Sequence, residues 1–490
     1  MLQNDLETIV AQATPPGYGG VGVVRVSGPH CRTIAEQVLG KTLTHRVATI
    51  SRFLDTDKKV LDQGIALFFE APHSFTGEDV LELQGHGGPV VMEALIQTIL
   101  RMGARLAAPG EFSLRAFLNN KIDLVQAEAV ADLIHAHSLQ AARGAMRSLQ
   151  GDFSKSVQAI VDDVIQLRVF VESMIDFPEE AIEALQIEQM AAALEALQQQ
   201  LDTLIIQADQ GALMARGASV MIMGLPNAGK SSLLNALSAQ DTAIVTDIPG
   251  TTRDIVRSRI DWEGMVIELL DTAGLRKAQD AVEQEGIRRA LEAAAMADHI
   301  VWVIDASAAD LEEDPRILLK TYNFSMKEGV GITVLYNKID LKKTQISFAK
   351  SQGGASIPGM VNRRIQGCMS PNGIQQNLSD KAVATKAVAT FCVSAKTGDG
   401  LLDFKQHLKK TLGFAVGSEQ PFSARTRHLE GLKEAKHFIQ QAVLQSQTNS
   451  TLELVAEELH AVQRALEVIT GRFTSDDLLS KIFSTFCIGK

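Results

Sequence analysis

The chain has 490 residues, of which 46% are hydrophobic and 21% are charged, and its formal net charge is −11. This length exceeds what one hydrophobic core can organise and predicts about three domains. The acidic balance excludes a globally basic nucleic-acid binder, so any contact with RNA must come from a local basic patch. No apolar run reaches about 18 residues, so we expect no membrane span.

The cysteine content argues for a reducing compartment. Cys31, Cys368, Cys392 and Cys487 are scattered and form no CxxC pair, so neither a zinc site nor a disulfide framework is indicated. The polar, acidic start Met1–Glu7 does not have the form of a signal or transit peptide. We therefore expect a cytoplasmic protein.

Residues 1–118 are predicted to form an N-terminal α+β domain. Val21–Val26 and Val80–Gln84 have the composition of strands. Pro89–Met102 has apolar residues at helical spacing and is followed by Gly103, a helix stop signal.

Helical periodicity dominates residues 119–213 and returns in residues 420–490. Gly151 and Phe177-Pro178 are predicted to divide the first block into three long helices. The simplest arrangement is one discontinuous helical domain into which residues 214–419 are inserted. Two independent helical domains are the alternative.

Residues 214–419 alternate strand and helix, as in a doubly wound sheet. Within them, Gly224–Ser231 has the form GxxxxGK[ST] of a P-loop, and the apolar run Ser219–Met223 precedes it. Strand, glycine-rich turn and helix start together predict a phosphate site. Lys230 is expected to reach the β- and γ-phosphates, and the Ser231 hydroxyl to bind Mg²⁺.

Three further motifs indicate that the nucleotide is GTP. Asp271-Thr-Ala-Gly274 is expected to hold Mg²⁺ through water and to sense the γ-phosphate. Asn337-Lys-Ile-Asp340 supplies a carboxylate that can pair with the N–H edge of guanine, which adenine lacks. Ser394-Ala-Lys396 is expected to close over the base. ATP is the less favoured alternative.

The hydrolysis machinery departs from the Ras pattern, because Leu275 occupies the place of the glutamine that orients water. Asn227 could hold a monovalent cation where an arginine finger would place its charge, although a simple turn residue is the alternative. Carbonyls of the loop Thr246–Asp254 could complete an oxygen cage, and Thr252 could reach Mg²⁺.

A long segment, residues 341–390, interrupts the predicted sheet. Leu341–Asp380 is rich in Ser, Gly, Gln and Asn and holds five Lys or Arg against one Asp. We expect a disordered surface insertion, with RNA contact as the less favoured alternative.

Taken together, GxPNAGKSSLLN, GTTRD, DTAG followed by Leu, NKxD and SAK resemble the MnmE/TrmE tRNA modification GTPases. The flanks resemble that family too, with Pro109-Gly-Glu-Phe112, Gly85-His-Gly-Gly88 and the terminal Phe486-Cys-Ile-Gly-Lys490. The likeness covers nearly the whole chain. It implies a Ras-like P-loop GTPase domain inserted into a helical domain.

The resemblance also implies site residues. A K⁺-dependent GTPase that dimerises across its nucleotide is expected, with K⁺ on Asn227, Thr246, Ile248 and Thr251. Mg²⁺ would lie on Ser231 and Thr252, and Glu283 would orient the attacking water. The implied GTP-binding residues are Asn227, Ala228, Gly229, Lys230, Ser231 and Ser232; Thr246, Asp247, Ile248, Pro249, Gly250, Thr251 and Thr252; Asp271, Thr272, Ala273 and Gly274; Asn337, Lys338 and Asp340; and Ser394, Ala395 and Lys396.

The family further implies a second activity outside the GTPase domain. Arg25, Glu82, Lys121 and Lys490 match positions that contact a tetrahydrofolate derivative, either 5-formyl- or methylene-tetrahydrofolate, in a folate-binding-like domain that forms the dimer interface. Cys487 is the implied catalytic thiol of tRNA modification.

Family members act with the flavoprotein MnmG/GidA, as a homodimer within a heterotetramer, on carbon 5 of the wobble uridine of certain tRNAs. The expected product carries an aminomethyl-type group. From the residues alone, the nearby Lys490 would favour the Cys487 thiolate, although free cysteine is usually a buried hydrophobe.

Two other functions stay open at this point. One is a regulatory GTPase, such as a ribosome-assembly factor, with the flanks as binding modules. The other is a folate-dependent one-carbon transferase that GTP regulates.

Overall fold

The structure is a computed structural model that describes residues 7–176, 184–225, 227–239, 256–262, 265–271, 297–307, 330–341, 389–414, 422–447, 452–472, 476–484, 486 and 489. The chain divides into two compact units. Unit 1 comprises Met1–Ala136, Ala141–Ala215 and Gln420–Lys490, and unit 2 comprises His137–Gln140 and Arg216–Glu419.

Unit 1 begins with a six-stranded sheet in the order β3-β4-β5-β2-β1-β6. Neighbouring strands are antiparallel except for β1 and β6, which are parallel. The strands are β1 Ile9–Gln12, β2 Gly19–Ser27, β3 Thr49–Leu54, β4 Val60–Phe69, β5 Val80–Gly87 and β6 Arg105–Leu106.

One face of this sheet packs against two amphipathic helices, α1 Cys31–Leu39 and α2 Pro89–Arg101. Residues that alternate along the strands, such as Val24, Val26 and Leu83, share a core with Ile34 and Leu95. Because side chains alternate between faces, Arg25 and Glu82 lie on the opposite face.

Two short helices, α3 Glu111–Leu118 and α4 Leu124–Ile134, lead into the helical part. An Asp123–Gln126 capping box begins α4, since each side chain bonds the backbone N–H of the other residue. The remaining helices of unit 1 are α5 Leu139–Leu149, α6 Asp152–Asp176, α7 Ala184–Arg216, α10 Thr426–Gln447, α11 Leu452–Thr470 and α12 Asp476–Ser484.

The helices α6, α7, α10 and α11 contribute to one apolar core. Buried residues recur every three or four positions, which places them on one face of each helix. Examples are Val157, Val161, Val164, Leu194, Leu201, Leu432, Ile439, Leu459 and Val462.

Unit 2 contains the second sheet, in the order β12-β11-β10-β7-β9-β8. All neighbouring strands are parallel except β8 and β9. Its elements are β7 Ala218–Gly224, α8 Lys230–Ala239, β8 Val256–Trp262, β9 Met265–Asp271, β10 His299–Asp305, β11 Gly331–Asn337, β12 Ala389–Cys392 and α9 Leu401–Thr411.

The predicted fold class, a multi-domain α/β chain, is confirmed. An N-terminal sheet with its helices, a set of helices that share one core, and a second, mostly parallel sheet are all present. The prediction of three long helices after Lys121 is wrong in number. A break at His135–Ser138 separates α4 from α5, and the His135 ring contacts the Ala131 carbonyl 2.9 Å away. A side chain that competes for a helical carbonyl favours the end of a helix.

Residues 342–388 of the insertion predicted at 341–390 lie outside the described residues. So do residues 282–296, for which the sequence predicts a helix between two strands. Within the described part, no helix is long and apolar enough to cross a membrane.

Candidate functional site

Two glycines shape the P-loop at the carboxyl end of β7. Gly224 has a φ of +149°, and a Cβ there would lie 2.2 Å from the carbonyl oxygen of Val303 on β10. Gly229 has a φ of +90°, and its Cβ would lie 2.3 Å from Nδ2 of Asn337. Any larger residue would push the loop away from the neighbouring strands, so both positions require glycine.

Lys230 starts α8 and its side chain turns back into the loop. Its Nζ donates to the carbonyls of Gly224 and Leu225, both at 3.1 Å, and the residue is only 7% exposed. A buried ammonium within the loop supplies positive charge where phosphate oxygens would bind. Ser231 lies beside it in the first turn of α8 and is exposed.

Asn337, the last residue of β11, connects three of the predicted motifs. Its Nδ2 donates to the carbonyl of Ala228 at 3.1 Å, and its Oδ1 accepts from the backbone N–H of Ala395 at 3.0 Å. The Asn337 side chain is buried, so both of its polar ends are satisfied. The P-loop and the loop that carries Ser394 are therefore held by one amide.

Asp340 and Ser394 form the part of the site that is predicted to recognise the base. Ser394 Oγ donates to Oδ1 of Asp340 at 2.7 Å, and Ser394 Oγ in turn accepts from the Thr397 N–H at 3.2 Å. Among the described residues, no donor contacts Asp340 Oδ2. The carboxylate is oriented by Ser394 and retains acceptor capacity for an N–H edge.

In unit 1, Arg25 and Glu82 face each other across β2 and β5. They are register partners, and Arg25 Nε and Nη2 both lie 2.9 Å from Glu82 Oε1. The Arg25 guanidinium lies over the Phe112 ring at 5.8 Å from its centroid. Its Nη1 donates to the carbonyl of Gly489 at 3.2 Å, so the C-terminal segment reaches this face of the sheet.

Lys121 is the exception among the described folate candidates. Its Nζ donates to the carbonyl of Pro72 at 2.9 Å, and no hydrogen bond among the described residues joins it to Arg25 or Glu82. Its stem lies against Gly77, where a Cβ would be 3.3 Å from the Lys121 Cγ and Cδ atoms.

Comparisons with known proteins match one family along nearly the whole chain. A family model described as MnmE helical domain matches residues 124–487, and one described as GTP-binding protein TrmE N-terminus matches residues 8–121. The tRNA modification GTPase MnmE of Hydrogenovibrio crunogenus is 50% identical over 484 residues, which cover 99% of each chain. The chain belongs to the MnmE family of tRNA modification GTPases.

Other members are similarly close. The MnmE of Vibrio vulnificus is 48% identical over 485 residues, which again cover 99% of each chain. Among solved structures, the G domain of the T. maritima FeoB iron transporter is 21% identical and covers 40% of this chain and 98% of that chain, at a TM-score of 0.26. A score this low supports no conclusion about the present chain.

The described part of this MnmE chain holds about half of the predicted site. Asp271 ends β9 at the carboxyl edge of the sheet, next to Ile222 of β7. Ser232 follows the P-loop in α8, Lys396 follows β12, and both side chains are exposed. The candidates outside the described residues are Thr246, Asp247, Ile248, Pro249, Gly250, Thr251, Thr252, Thr272, Ala273, Gly274, Glu283, Cys487 and Lys490.

The sequence analysis missed Asp305, which contacts Lys338 of the predicted site. Its Oδ2 lies 2.7 Å from Lys338 Nζ, and that same Nζ donates to the carbonyl of Asn227 at 2.6 Å. The available signal was its position directly after the apolar strand His299–Ile304. In a parallel sheet, the residue that follows a central strand lies at the edge where ligands bind.

Proposed function

We propose that this chain hydrolyses GTP with Mg²⁺ and K⁺ and, together with an MnmG/GidA-type flavoprotein, adds an aminomethyl-type group to carbon 5 of the wobble uridine of certain tRNAs. One observation carries the proposal. A P-loop, an NKxD motif and an SAK motif that are joined by direct hydrogen bonds occur in a chain that matches MnmE over 99% of its length.

The described half of the nucleotide site fits GTP. The P-loop backbone and the buried Lys230 ammonium are suited to bind phosphate oxygens, since N–H groups and an amine converge there. The Asp340 carboxylate, oriented by Ser394, would accept from guanine N–H groups. Ser231, with Thr252, would hold Mg²⁺, whose role is to neutralise charge on the β- and γ-phosphates.

Hydrolysis needs a water-orienting residue and a positive charge near the γ-phosphate. Leu275 cannot orient water, and the likeness to the MnmE family implies that Glu283, in the segment that follows, has that role. Asn227, with Thr246, Ile248 and Thr251, would hold K⁺, which supplies the positive charge. Asn227 is exposed and has a φ of +62°, so its amide is available for such a role.

The second half of the activity is assigned to unit 1. Arg25, Glu82, Lys121 and Lys490 would hold the tetrahydrofolate derivative. Among the described residues nothing donates to Glu82 Oε2, so this oxygen suits the N–H edge of a pteridine. Because Gly489 bonds Arg25, Cys487, two residues away, is proposed to act at this face.

We further propose that the N-terminal domain forms a homodimer, that two chains assemble with the flavoprotein into a heterotetramer, and that the protein is cytoplasmic. The proposed domains are 1–118, 119–213 with 420–490, and 214–419.

Turnover of GTP by the purified protein tests the first half. Hydrolysis should be far faster in K⁺ than in Na⁺ at equal ionic strength, because the proposed K⁺ site takes the place of an arginine finger. In GTPases that have an arginine finger, it raises the rate of hydrolysis by about 10³–10⁵. Equal turnover in the two salts would remove the K⁺ assignment.

Nucleoside mass spectrometry of tRNA tests the second half. A deletion strain should lose the wobble modification, the wild-type gene should restore it, and Cys487→Ser should not, although it should keep GTP turnover. A serine ionises far less readily than a thiol. Unchanged tRNA in the deletion strain would favour a regulatory GTPase, and full restoration by Cys487→Ser would leave the thiol a packing role.

A further inference from the structure

The carboxyl edge of the unit 2 sheet holds a carboxylate that has no role in the nucleotide chemistry described above. Asp305 ends β10, directly opposite Asn337 of β11. Two residues earlier on β10, Val303 is the register partner of Gly224, where the P-loop begins. Asp305 therefore lies at the edge from which both the P-loop and the Lys338 turn emerge.

Asp305 is held in one orientation. Its Oδ1 accepts from the backbone N–H of Ser307 at 2.9 Å and from the Ser307 hydroxyl at 2.5 Å. Partial burial alone would raise the pKa of the Asp305 carboxyl, but the bonds from Lys338 and Ser307 hold it below its ordinary value of 3.8. The group is therefore a charged, preoriented acceptor at neutral pH.

Lys338 transmits this orientation to the P-loop. It follows β11 with a φ of +63°, a backbone conformation that a residue other than glycine rarely adopts. Its Nζ lies between Asp305 Oδ2 at 2.7 Å and the Asn227 carbonyl at 2.6 Å. The carboxylate fixes the ammonium, and the ammonium fixes the Asn227 peptide.

The Asn227 peptide needs such support, because Asn227 is itself left-handed with a φ of +62°. Asparagine tolerates this region better than most residues but still at some cost in energy. Rotation of the peptide that follows Asn227 would change its ψ and redirect the P-loop around it. The contact between Lys338 and the Asn227 carbonyl therefore restricts the direction of the Asn227 side-chain amide.

We propose that Asp305 is a positioning residue for the monovalent-cation site, which acts through Lys338 on Asn227. This inference rests on the proposed function, in which Asn227 is a K⁺ ligand. A role in stability alone does not account for the contact, because the Lys338 ammonium that pairs with Asp305 also donates to the Asn227 carbonyl at 2.6 Å.

The test compares Asp305→Asn with a matched variant, Asp298→Asn, in the full chain. Asp298 precedes the same strand, is also 24% exposed and pairs with Arg216 at 3.0 Å, but it lies at the opposite end of β10. Two K⁺ titrations at constant ionic strength are measured. One follows GTP hydrolysis, and the other follows the rise in melting temperature with a non-hydrolysable GTP analogue, which reports cation binding without turnover.

We expect Asp305→Asn to raise the half-saturating K⁺ concentration by about 10-fold in both titrations, the size typical of residues that orient metal ligands. The affinity for the GTP analogue at saturating K⁺ should stay close to that of the wild type. Asp305→Glu should restore part of the shift, and Asp298→Asn should cause none. Should Asp305→Asn fold poorly, Ser307→Ala removes one bond to the carboxylate and should shift the K⁺ curves in the same direction.

Three results would overturn the inference. Unshifted K⁺ curves for both Asp305→Asn and Ser307→Ala would show that Asn227 needs no support from Asp305. A matching loss of nucleotide affinity at saturating K⁺ would show that Asp305 serves the nucleotide and not the cation. If the wild-type titrations do not respond to K⁺, the proposed K⁺ dependence fails first, and the inference fails with it.

Discussion

At the scale of single residues, recognition of the base depends on a carboxylate whose direction is set before any ligand arrives. Ser394 donates to one oxygen of Asp340 at 2.7 Å, and the Asn337 amide fixes the loop that carries Ser394 through Ala395 at 3.0 Å. Preorganised acceptors discriminate strongly, because the wrong base leaves them without partners.

We predict that Asp340→Asn lowers GTP affinity by about 1–3 kcal/mol, roughly 5- to 150-fold in the dissociation constant. The amide places a donor where guanine also donates. Affinity for XTP should rise, because xanthine carries an oxygen in place of the guanine amine. Fluorescence titration with labelled nucleotides measures both. Asp399→Asn, on the loop that carries Ser394, is the control. The Asp399 carboxylate accepts from the Thr397 hydroxyl at 2.8 Å, and this variant should bind GTP normally. Unchanged GTP affinity in Asp340→Asn would mean that other groups read the base.

At the scale of elements, the C-terminal helix α12 is held by close backbone contacts. Gly110, at the start of α3, has a φ of +68°, and a Cβ there would lie 2.6 Å from the Phe483 carbonyl. A Cβ added at Gly471, after α11, would lie 2.9 Å from the Phe117 ring. A Cβ added at Gly489 would lie 2.3 Å from the Gln12 carbonyl oxygen. Glycine at these three points lets the segment around Phe486 approach the N-terminal sheet.

We predict that Gly110→Ala destabilises unit 1 more than Gly40→Ala does. The two glycines share nearly the same φ, +68° and +67°, so both variants carry a similar backbone strain. At Gly40 the new Cβ meets only a Leu54 methyl at 3.7 Å, whereas at Gly110 it meets backbone. The overpacking should cost a further ~1–3 kcal/mol in the free energy of unfolding. Equal losses in chemical denaturation would mean that α12 can shift without cost.

A buried charge cluster fixes the segment that returns from the GTPase domain. Glu128 on α4 accepts from Arg427 at 2.7 Å and from His428 Nε2 at 2.8 Å. The backbone N–H of Arg425 donates to His428 Nδ1 at 3.1 Å, which requires a neutral imidazole protonated at Nε2. Burial, together with the nearby Arg427 and Arg425 charges, lowers the pKa of His428 although the Glu128 carboxylate raises it. For Glu128, burial raises the pKa, but the bonds from His428 and Arg427 outweigh it and lower the pKa to about 2.

The cluster predicts a stability profile with pH. Both folded pKa values are depressed, so the stabilisation is present at neutral pH and is lost on acidification. The first loss should begin as pH falls below about 6.5, where unfolded His428 takes up a proton. The second should run from about 4.5 toward 2, where unfolded Glu128 is protonated before the folded residue. Glu128→Gln should lose about 3–5 kcal/mol at pH 7 and should lack the second phase. Urea denaturation across pH measures this, and an unchanged profile in the variant would assign the acid loss elsewhere.

The sequence predicted the elements that carry strong local signals. β2 was expected within two residues, and β7 and α2 within one, because apolar runs and the Gly103 stop signal are local. The Glu128 cluster could not be predicted, since its two halves are about 300 residues apart in the chain. The strands β3 and β4 were missed because their exposed apolar positions, such as Ile50 and Val60, blur the alternation of apolar and polar residues. Strand β1 is only four residues long, which is too short for a periodic signal.

The same limit applies to the site. The P-loop, NKxD and SAK residues were identified from motifs whose spacing is fixed by the chemistry of the nucleotide. Asp305 has no motif of its own, and only the register of β10 beside β11 brings it to Lys338. The position of Asp305 after an apolar strand is a local signal, but it does not identify Lys338 as the partner, because that contact depends on tertiary structure.

At the scale of the whole molecule, unit 1 closes on itself at the point where the chain leaves for unit 2. A Cβ on Gly211 of α7 would lie 1.9 Å from the carbonyl of Phe422, so the outgoing and returning segments touch. Phe422 stacks on Phe153 with ring centroids 4.6 Å apart, and the Ser423 carbonyl accepts from Ser148 Oγ at 2.8 Å. These contacts belong entirely to unit 1.

We therefore predict that unit 1 folds without unit 2. In the variant, residues 216–419 are replaced by a Gly/Ser linker of about six residues, which spans roughly 12–15 Å and is ample for ends that already touch. Far-UV circular dichroism should show a helix-rich protein, and thermal unfolding should stay cooperative, since the core of α6, α7, α10 and α11 is intact. The variant should have no GTP turnover, and residues 216–419 expressed alone should retain it.

The same deletion with Ser423→Pro is the control. It removes the bond from the Ser423 N–H to the Gly144 carbonyl at 3.0 Å and should unfold at lower temperature. A deletion variant without a cooperative transition would show that unit 2 is needed to hold the two helical blocks together.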